Sequence, residues 1–155
     1  MRKFTLSRKY FYLKYLAMTM TALMDNIPVT ANPAWVIGYL NDGGFDTQHV
    51  NALKKISGAN NNVLSEILGV TPKTFNSYSK DISKLKIDTK EHIILLLSLM
   101  KKGSEVFNDQ EEFNEWLNSP NVFLDNKRPM EFLNTISGIK FIDSRLVAME
   151  YGDNV

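Results

Sequence analysis

The chain has 155 residues, 44% of them hydrophobic and 23% charged, and no cysteine. That length suits one compact domain or two small helical units sharing a core, and the apolar content excludes wholesale disorder. Without cysteine there is no disulfide, no Cys-ligated zinc and no thiol catalysis, which fits a reducing cytoplasm, the location we expect. The formal net charge of +1 hides a strong asymmetry. Residues 1–30 carry five Lys/Arg and one Asp, a charge of +4, and residues 31–53 only Asp42 and Asp46. Residues 54–102 hold nine lysines against four acids, +5, whereas residues 103–155 hold four basic and ten acidic residues, −6. A basic centre followed by an acidic end implies two surfaces with different partners.

In chain order, Tyr10, Leu13, Ala17, Met20 and Met24 recur at helical spacing, and Pro28 and Pro33 then break the chain. Lys14 and several polar residues interrupt this segment and no cleavage site follows, so it does not read as a secretory signal. Four methionines lie within the first 24 positions, which leaves Met18, Met20 and Met24 open as alternative starts. Trp35–Leu40 is an apolar run too short to classify by period. Gly43-Gly44 marks a turn, and Asp46 or Thr47 can cap a helix with Val50, Leu53 and Ile56 on one face, closed by Ser57-Gly58. A helix is predicted from about residue 61 to 68, stopped by Gly69, and another from Thr71-Pro72 to about Lys80.

Thr89–Lys102 is the strongest helical stretch, apolar on more than one face and therefore expected at the centre of the core. We expect Gly103 to end it, with Lys101 and Lys102 in a favourable last turn. Asp109 opens a helix carrying Phe113, Trp116 and Leu117 at core spacing, interrupted by Ser119-Pro120. Pro129 is expected to start a helix through Phe132 and Leu133 ending near Gly138, and a last helix to run from about Phe141 to Tyr151. The expected fold class is all-α. Three units are expected: an N-terminal extension of open role (residues 1–40), a helix-turn-helix domain (41–102) and a small helical domain (103–155).

Residues 61–80, NNVLSEILGVTPKTFNSYSK, carry the helix-turn-helix pattern. Two helices crossing steeply need a small residue at the contact, which Ser65 supplies, and a turn residue tolerant of positive φ, which Gly69 supplies. Leu64, Leu68, Val70, Phe75 and Tyr78 pin the pair to the core, and Thr71 caps the second helix with Pro72 at its first position. That helix offers Thr71, Lys73, Asn76, Ser77 and Lys80 to phosphates and base edges of a major groove. Lys54, Lys55, Lys84 and Lys86 can add phosphate contacts. The competing reading is a helical hairpin whose lysines are a solvated face.

No catalytic constellation is present, and no cofactor or metal is expected. His49 and His92 are the only histidines; His92 lies beside an apolar helix without a second ligand at i+4 and reads as a boundary residue. No phosphate-binding loop occurs. Asp109, Glu111, Glu112 and Glu115 read as a charged exposed face with carboxylates favouring a helix N-terminus. We therefore expect a non-enzyme. No stretch reaches eighteen uninterrupted apolar residues, so no membrane partner is expected.

Val106-Phe107, Trp116-Leu117, Pro120-Asn121, Pro129-Met130, Gly138, Leu146 and Tyr151-Gly152 follow one another in the order and spacing of the toxin-binding domain of Xre/MbcA/ParS antitoxins, which residues 103–152 resemble. The helix-turn-helix and the helix after Gly44 extend the resemblance to about 43–152. Two departures stand out. The family's Arg-rich recognition helix is replaced by Thr74-Phe75-Asn76-Ser77 with lysines, and lysine lacks arginine's bidentate guanine readout. The usual Gly-Gly before the proline is replaced by Asp125-Asn126-Lys127-Arg128, expected to alter only a loop.

The resemblance implies a homodimeric antitoxin partnered with a RES-domain toxin that consumes or transfers from NAD. Its C-terminal domain would cover the toxin's active site and its helix-turn-helix would bind and repress its own promoter DNA. On that reading Arg145, Met149, Glu150, Tyr151 and Gly152 contact the toxin, with the tail Asp153, Asn154 and Val155 near the pocket. Phe113, Trp116 and Phe132 are expected in the core rather than the interface. The alternatives are a stand-alone transcription regulator whose C-terminal half only dimerises, and a binding module that no longer touches DNA.

Overall fold

A computed structural model describes residues 2–152. Its described residues are all-α: eight α-helices and two 3-10 turns, no strand, and a single isolated bridge between Asn121 and Lys127. The helices are α1 (Arg2–Asn26), α2 (Pro33–Asn41), α3 (Thr47–Ile56), α4 (Asn61–Ile67), α5 (Pro72–Tyr78), α6 (Ile87–Phe107), α7 (Gln110–Asn118) and α8 (Ile136–Glu150). The 3-10 turns η1 (Val122–Leu124) and η2 (Pro129–Phe132) lie between α7 and α8. No described helix is long and apolar enough to cross a membrane. The Trp35–Leu40 run is α2, begun by Asn32, whose side chain accepts from Trp35 N–H, and by Pro33 at the first position.

α6 is the central rod. Ile93, Ile94, Leu96, Leu97, Leu99 and Met100 are all essentially buried, and α2, α3, α7 and α8 pack around it. α6 does not stop at Gly103 but runs on to Phe107, where Asn108 ends it in the left-handed conformation (φ 56°). Gly103 serves packing instead: a Cβ there would stand 2.3 Å from the Phe113 ring, so its missing side chain lets α7 lie against α6. Lys101 and Lys102 are consequently mid-helix. Lys101 Nζ donates to the carbonyls of Met24 and Ile27, both at 2.8 Å, and so caps the C-terminal end of α1. Ser98 Oγ donates to the Pro28 carbonyl (2.7 Å) and accepts from Ala31 N–H, pinning the proline-broken connection to α6. Leu23 and Ile27 reach the core, whereas Tyr10, Leu13 and Met18 further up α1 are exposed.

A second correction concerns Gly138. It does not end a helix but lies in the first turn of α8, which starts at Ile136 rather than near Phe141 and is capped by Thr135. A Cβ on Gly138 would fall 1.8 Å from the Phe132 carbonyl oxygen, so only glycine lets η2 fold back onto α8. Pro129 opens a 3-10 turn rather than an α-helix.

Candidate functional site

α4 and α5 form two short helices joined by a tight turn at Gly69. Asn60 caps α4 through Asn62 and Val63 N–H groups. At its other end Gly69 has φ +64°, Gly69 N–H bonds the Glu66 carbonyl and Val70 N–H the Ser65 carbonyl. That pair of bonds is a Schellman stop, which turns the chain sharply into α5. Ser65 is buried and donates to the Asn62 carbonyl. Leu64, Leu68, Phe75 and Tyr78 are buried and Val70 half-buried.

Lys73, Asn76, Ser77 and Lys80 are all exposed. Thr71 is exposed too, but its hydroxyl is occupied: it accepts from Thr74 N–H as the α5 cap. Ser77 Oγ donates to the Thr74 carbonyl. Asn76 Oδ1 accepts from Asn61 Nδ2 at 2.7 Å, which fixes its amide and brings α4's first residue beside α5. Lys54 is already engaged: its ammonium donates to Ser79 Oγ and lies 4.8 Å from the Phe75 ring centroid. Burial lowers its pKa from the ordinary lysine value. Lys55, Lys84 and Lys86 are exposed around the same unit.

Behind this unit α3 is fixed by a capping box in which His49 takes the place more often held by Glu or Gln. Asp46 Oδ1 accepts from Gln48 N–H, His49 Nδ1 meets the Asp46 backbone N–H at 3.1 Å, and His49 Nε2 meets the Tyr39 hydroxyl at 2.9 Å. His49 is 1% exposed, and burial holds its pKa below the usual imidazole range despite the Asp46 carboxylate. His92 is half-buried, its Nε2 2.8 Å from the Leu133 carbonyl at the end of η2, and burial again lowers its pKa. Neither belongs to a metal-binding group: no such cluster of His, Asp and Glu occurs among the described residues.

At its C-terminal end α8 leads to Tyr151, which is 82% exposed, and to Gly152 at φ +83°. Glu150 is exposed, and Met149 half-buried. Both line a groove of about 260 Å³ with Val29, Lys102, Glu105 and Val106. Arg145 lies with its guanidinium carbon 5.0 Å from the Phe141 ring centroid, and its Nε has no hydrogen-bond partner among the described residues. Asp153, Asn154 and Val155 lie outside the described residues. Phe113 is fully buried, while Trp116 and Phe132 are half-buried against the core.

Sequence reasoning missed two features here. Lys102, only 5% exposed, forms an ion pair with Asp143 (2.6 Å) that ties α6 to α8. Nothing local announces that pairing, because its partners are 41 positions apart. The second is the loop between Asn121 and Lys127, where Asp125 and Asn126 take φ 54° and 59°. The loop therefore keeps a left-handed backbone suited to glycine although no glycine is present. It exposes Val122 and Phe123 (74% and 56%) and buries Leu124; the run Val122-Phe123-Leu124 between Pro120 and Pro129, outside any periodic segment, was the available signal, without a sign of which of the three face solvent.

No curated protein matches the chain. From the last turns of α6 to just past the end of α8, over residues 102–152, the chain matches the family model of the antitoxin Xre/MbcA/ParS C-terminal toxin-binding domain.

Proposed function

We propose that this protein is the antitoxin of a type II toxin–antitoxin pair, acting by binding rather than catalysis. The observation that carries this reading is the match of residues 102–152 to an antitoxin toxin-binding domain. In the reading, the end of α8 covers the active site of a RES-type toxin, one that consumes or transfers from NAD. Tyr151 projects outward there beside Glu150 and Met149, ahead of the Asp153-Asn154-Val155 tail. Arg145, its guanidinium carbon 5.0 Å from the Phe141 ring centroid, is a half-buried cation on the same helix and pairs with a carboxylate on the partner through its terminal amino groups. The charge of −6 over residues 103–155 complements a pocket built to hold the phosphates of NAD.

The basic middle of the chain is the promoter-binding half of the same proposal. Lys73, Asn76, Ser77 and Lys80 face the major groove from α5 and its following turn, with Thr71 setting the helix start. Lys55, Lys84 and Lys86 add phosphate contacts, so two copies acting as a dimer reach two half-sites. Deleting residues 149–155 should abolish protection of cells that co-express the product of the adjoining reading frame. Lys73→Glu with Lys80→Glu should abolish promoter binding at physiological salt and leave protection intact. Full protection by the truncated chain, or unchanged promoter affinity in the charge-reversed one, sinks the corresponding half.

A further inference from the structure

The Asn121–Lys127 loop is far more ordered than a connection between α7 and η2 requires. Asn121 organises it: its N–H donates to the Lys127 carbonyl (3.1 Å) and its carbonyl accepts from Leu124 and Asn126 N–H groups (3.0 and 2.9 Å). Its side-chain Oδ1 takes the Phe123 N–H at 2.8 Å, and Lys127 N–H donates to the Leu124 carbonyl. Leu124 and Pro129 are buried and anchor the loop to the domain. Two non-glycine residues hold positive φ to close the turn, a conformation that L side chains adopt at a cost. The product of all this is a rigid tip that holds Val122 and Phe123 in water.

Within residues 102–152 the exposed large hydrophobic side chains, among the described residues, are Val122, Phe123 and Tyr151. Binding energy at protein interfaces concentrates in a few exposed aromatic and aliphatic anchors, and anchors already held in their bound geometry lose least entropy on docking. We infer that Val122 and Phe123 form a second toxin anchor, separate from the α8 terminus, that inserts into an apolar pocket on the toxin. This inference rests on the toxin-binding reading of residues 102–152. Tyr151 and the tail occupy the toxin's active site, whereas the loop grips an apolar surface elsewhere and carries no part of the inhibition chemistry.

The test measures binding of the purified, catalytically inactivated product of the adjoining reading frame to the full-length chain by calorimetry. Val122→Ser with Phe123→Ser should weaken binding by about thirtyfold, the loss typical of a hot-spot aromatic, with circular dichroism unchanged because both side chains are solvated. If that variant fails to fold, Phe123→p-benzoylphenylalanine supplies the same answer, since photolysis should crosslink position 123 to the toxin. Wild-type binding with an unaffected serine variant, or no crosslink from a bound complex, overturns the inference alone. A serine variant that binds toxin normally but loses self-association in sedimentation assigns the loop to a second copy of this chain and also overturns it. No binding by the wild-type chain overturns the antitoxin reading itself, and the inference with it.

Discussion

The α4–α5 pair and the C-terminal region are both made of helices joined by turns, yet they are held to α6 in different ways. α4 and α5 pack chiefly against each other, and their ends are secured by local devices: Asn60 and Thr71 caps and the Schellman stop at Gly69. α7, η2 and α8 are secured by contacts between separate elements: Gly103 under the Phe113 ring, Gly138 against the Phe132 carbonyl and, 41 positions apart, Lys102 paired with Asp143. A locally specified unit can keep its shape while its exposed face changes. A region welded to the core by distant contacts presents a fixed shape, which suits protein recognition.

Glycine substitutions break this comparison most directly. Gly138→Ala should cost about 3 kcal/mol or more, because backbone stands where the new methyl must go, and urea melts should show it. Gly69→Ala should cost only about 1 kcal/mol, since its Cβ meets nothing within 4 Å and only the positive φ penalises it. Equal losses at the two sites refute the distinction between a strained turn and a close approach of two elements. The buried ion pair gives the next effect. Asp143→Ala leaves the Lys102 charge buried and unpaired and should destabilise by about 3 kcal/mol at most, less to the extent that Asp143 is partly solvated. Lys102→Met combined with Asp143→Leu should recover most of that in thermal melts, and a double variant as weak as the single one denies the pair its role.

Acid should produce a smaller, shared effect. His49 in the α3 capping box and His92 at the η2 carbonyl are both shifted below the ordinary imidazole value, chiefly by burial. The unfolded chain therefore takes up protons first, so their contribution is complete above about pH 6.5 and is lost as pH falls below it toward the folded-state values. A melting temperature that does not fall between about pH 7.5 and 5 contradicts that sign.

Much of the local architecture was legible in the residues. Asp46, Asp109 and Thr71 cap the helices expected of them, Gly69 stops α4, and the apolar excess of α6 marks it as the central helix. The caps and the Gly69 stop act within about five residues through one or two hydrogen bonds or one dihedral, so spacing alone exposes them. The glycines at 103 and 138 read as helix stops and are not: the same missing side chain serves a left-handed turn or a close approach.

What the sequence by itself determined, then, was the all-α class, most of the helices and their N-terminal caps, the turn at Gly69 and the division of charge between a basic centre and an acidic end. Tertiary structure alone decided that α6 runs past Gly103, that Lys54 is engaged with Ser79 and Phe75 while Lys73 and Lys80 stay free in solvent, and that Val122 and Phe123 stand on a braced tip. The reason is range: caps and periodicity are interactions between neighbours in the chain, whereas close approach, burial and exposure depend on which distant surface arrives.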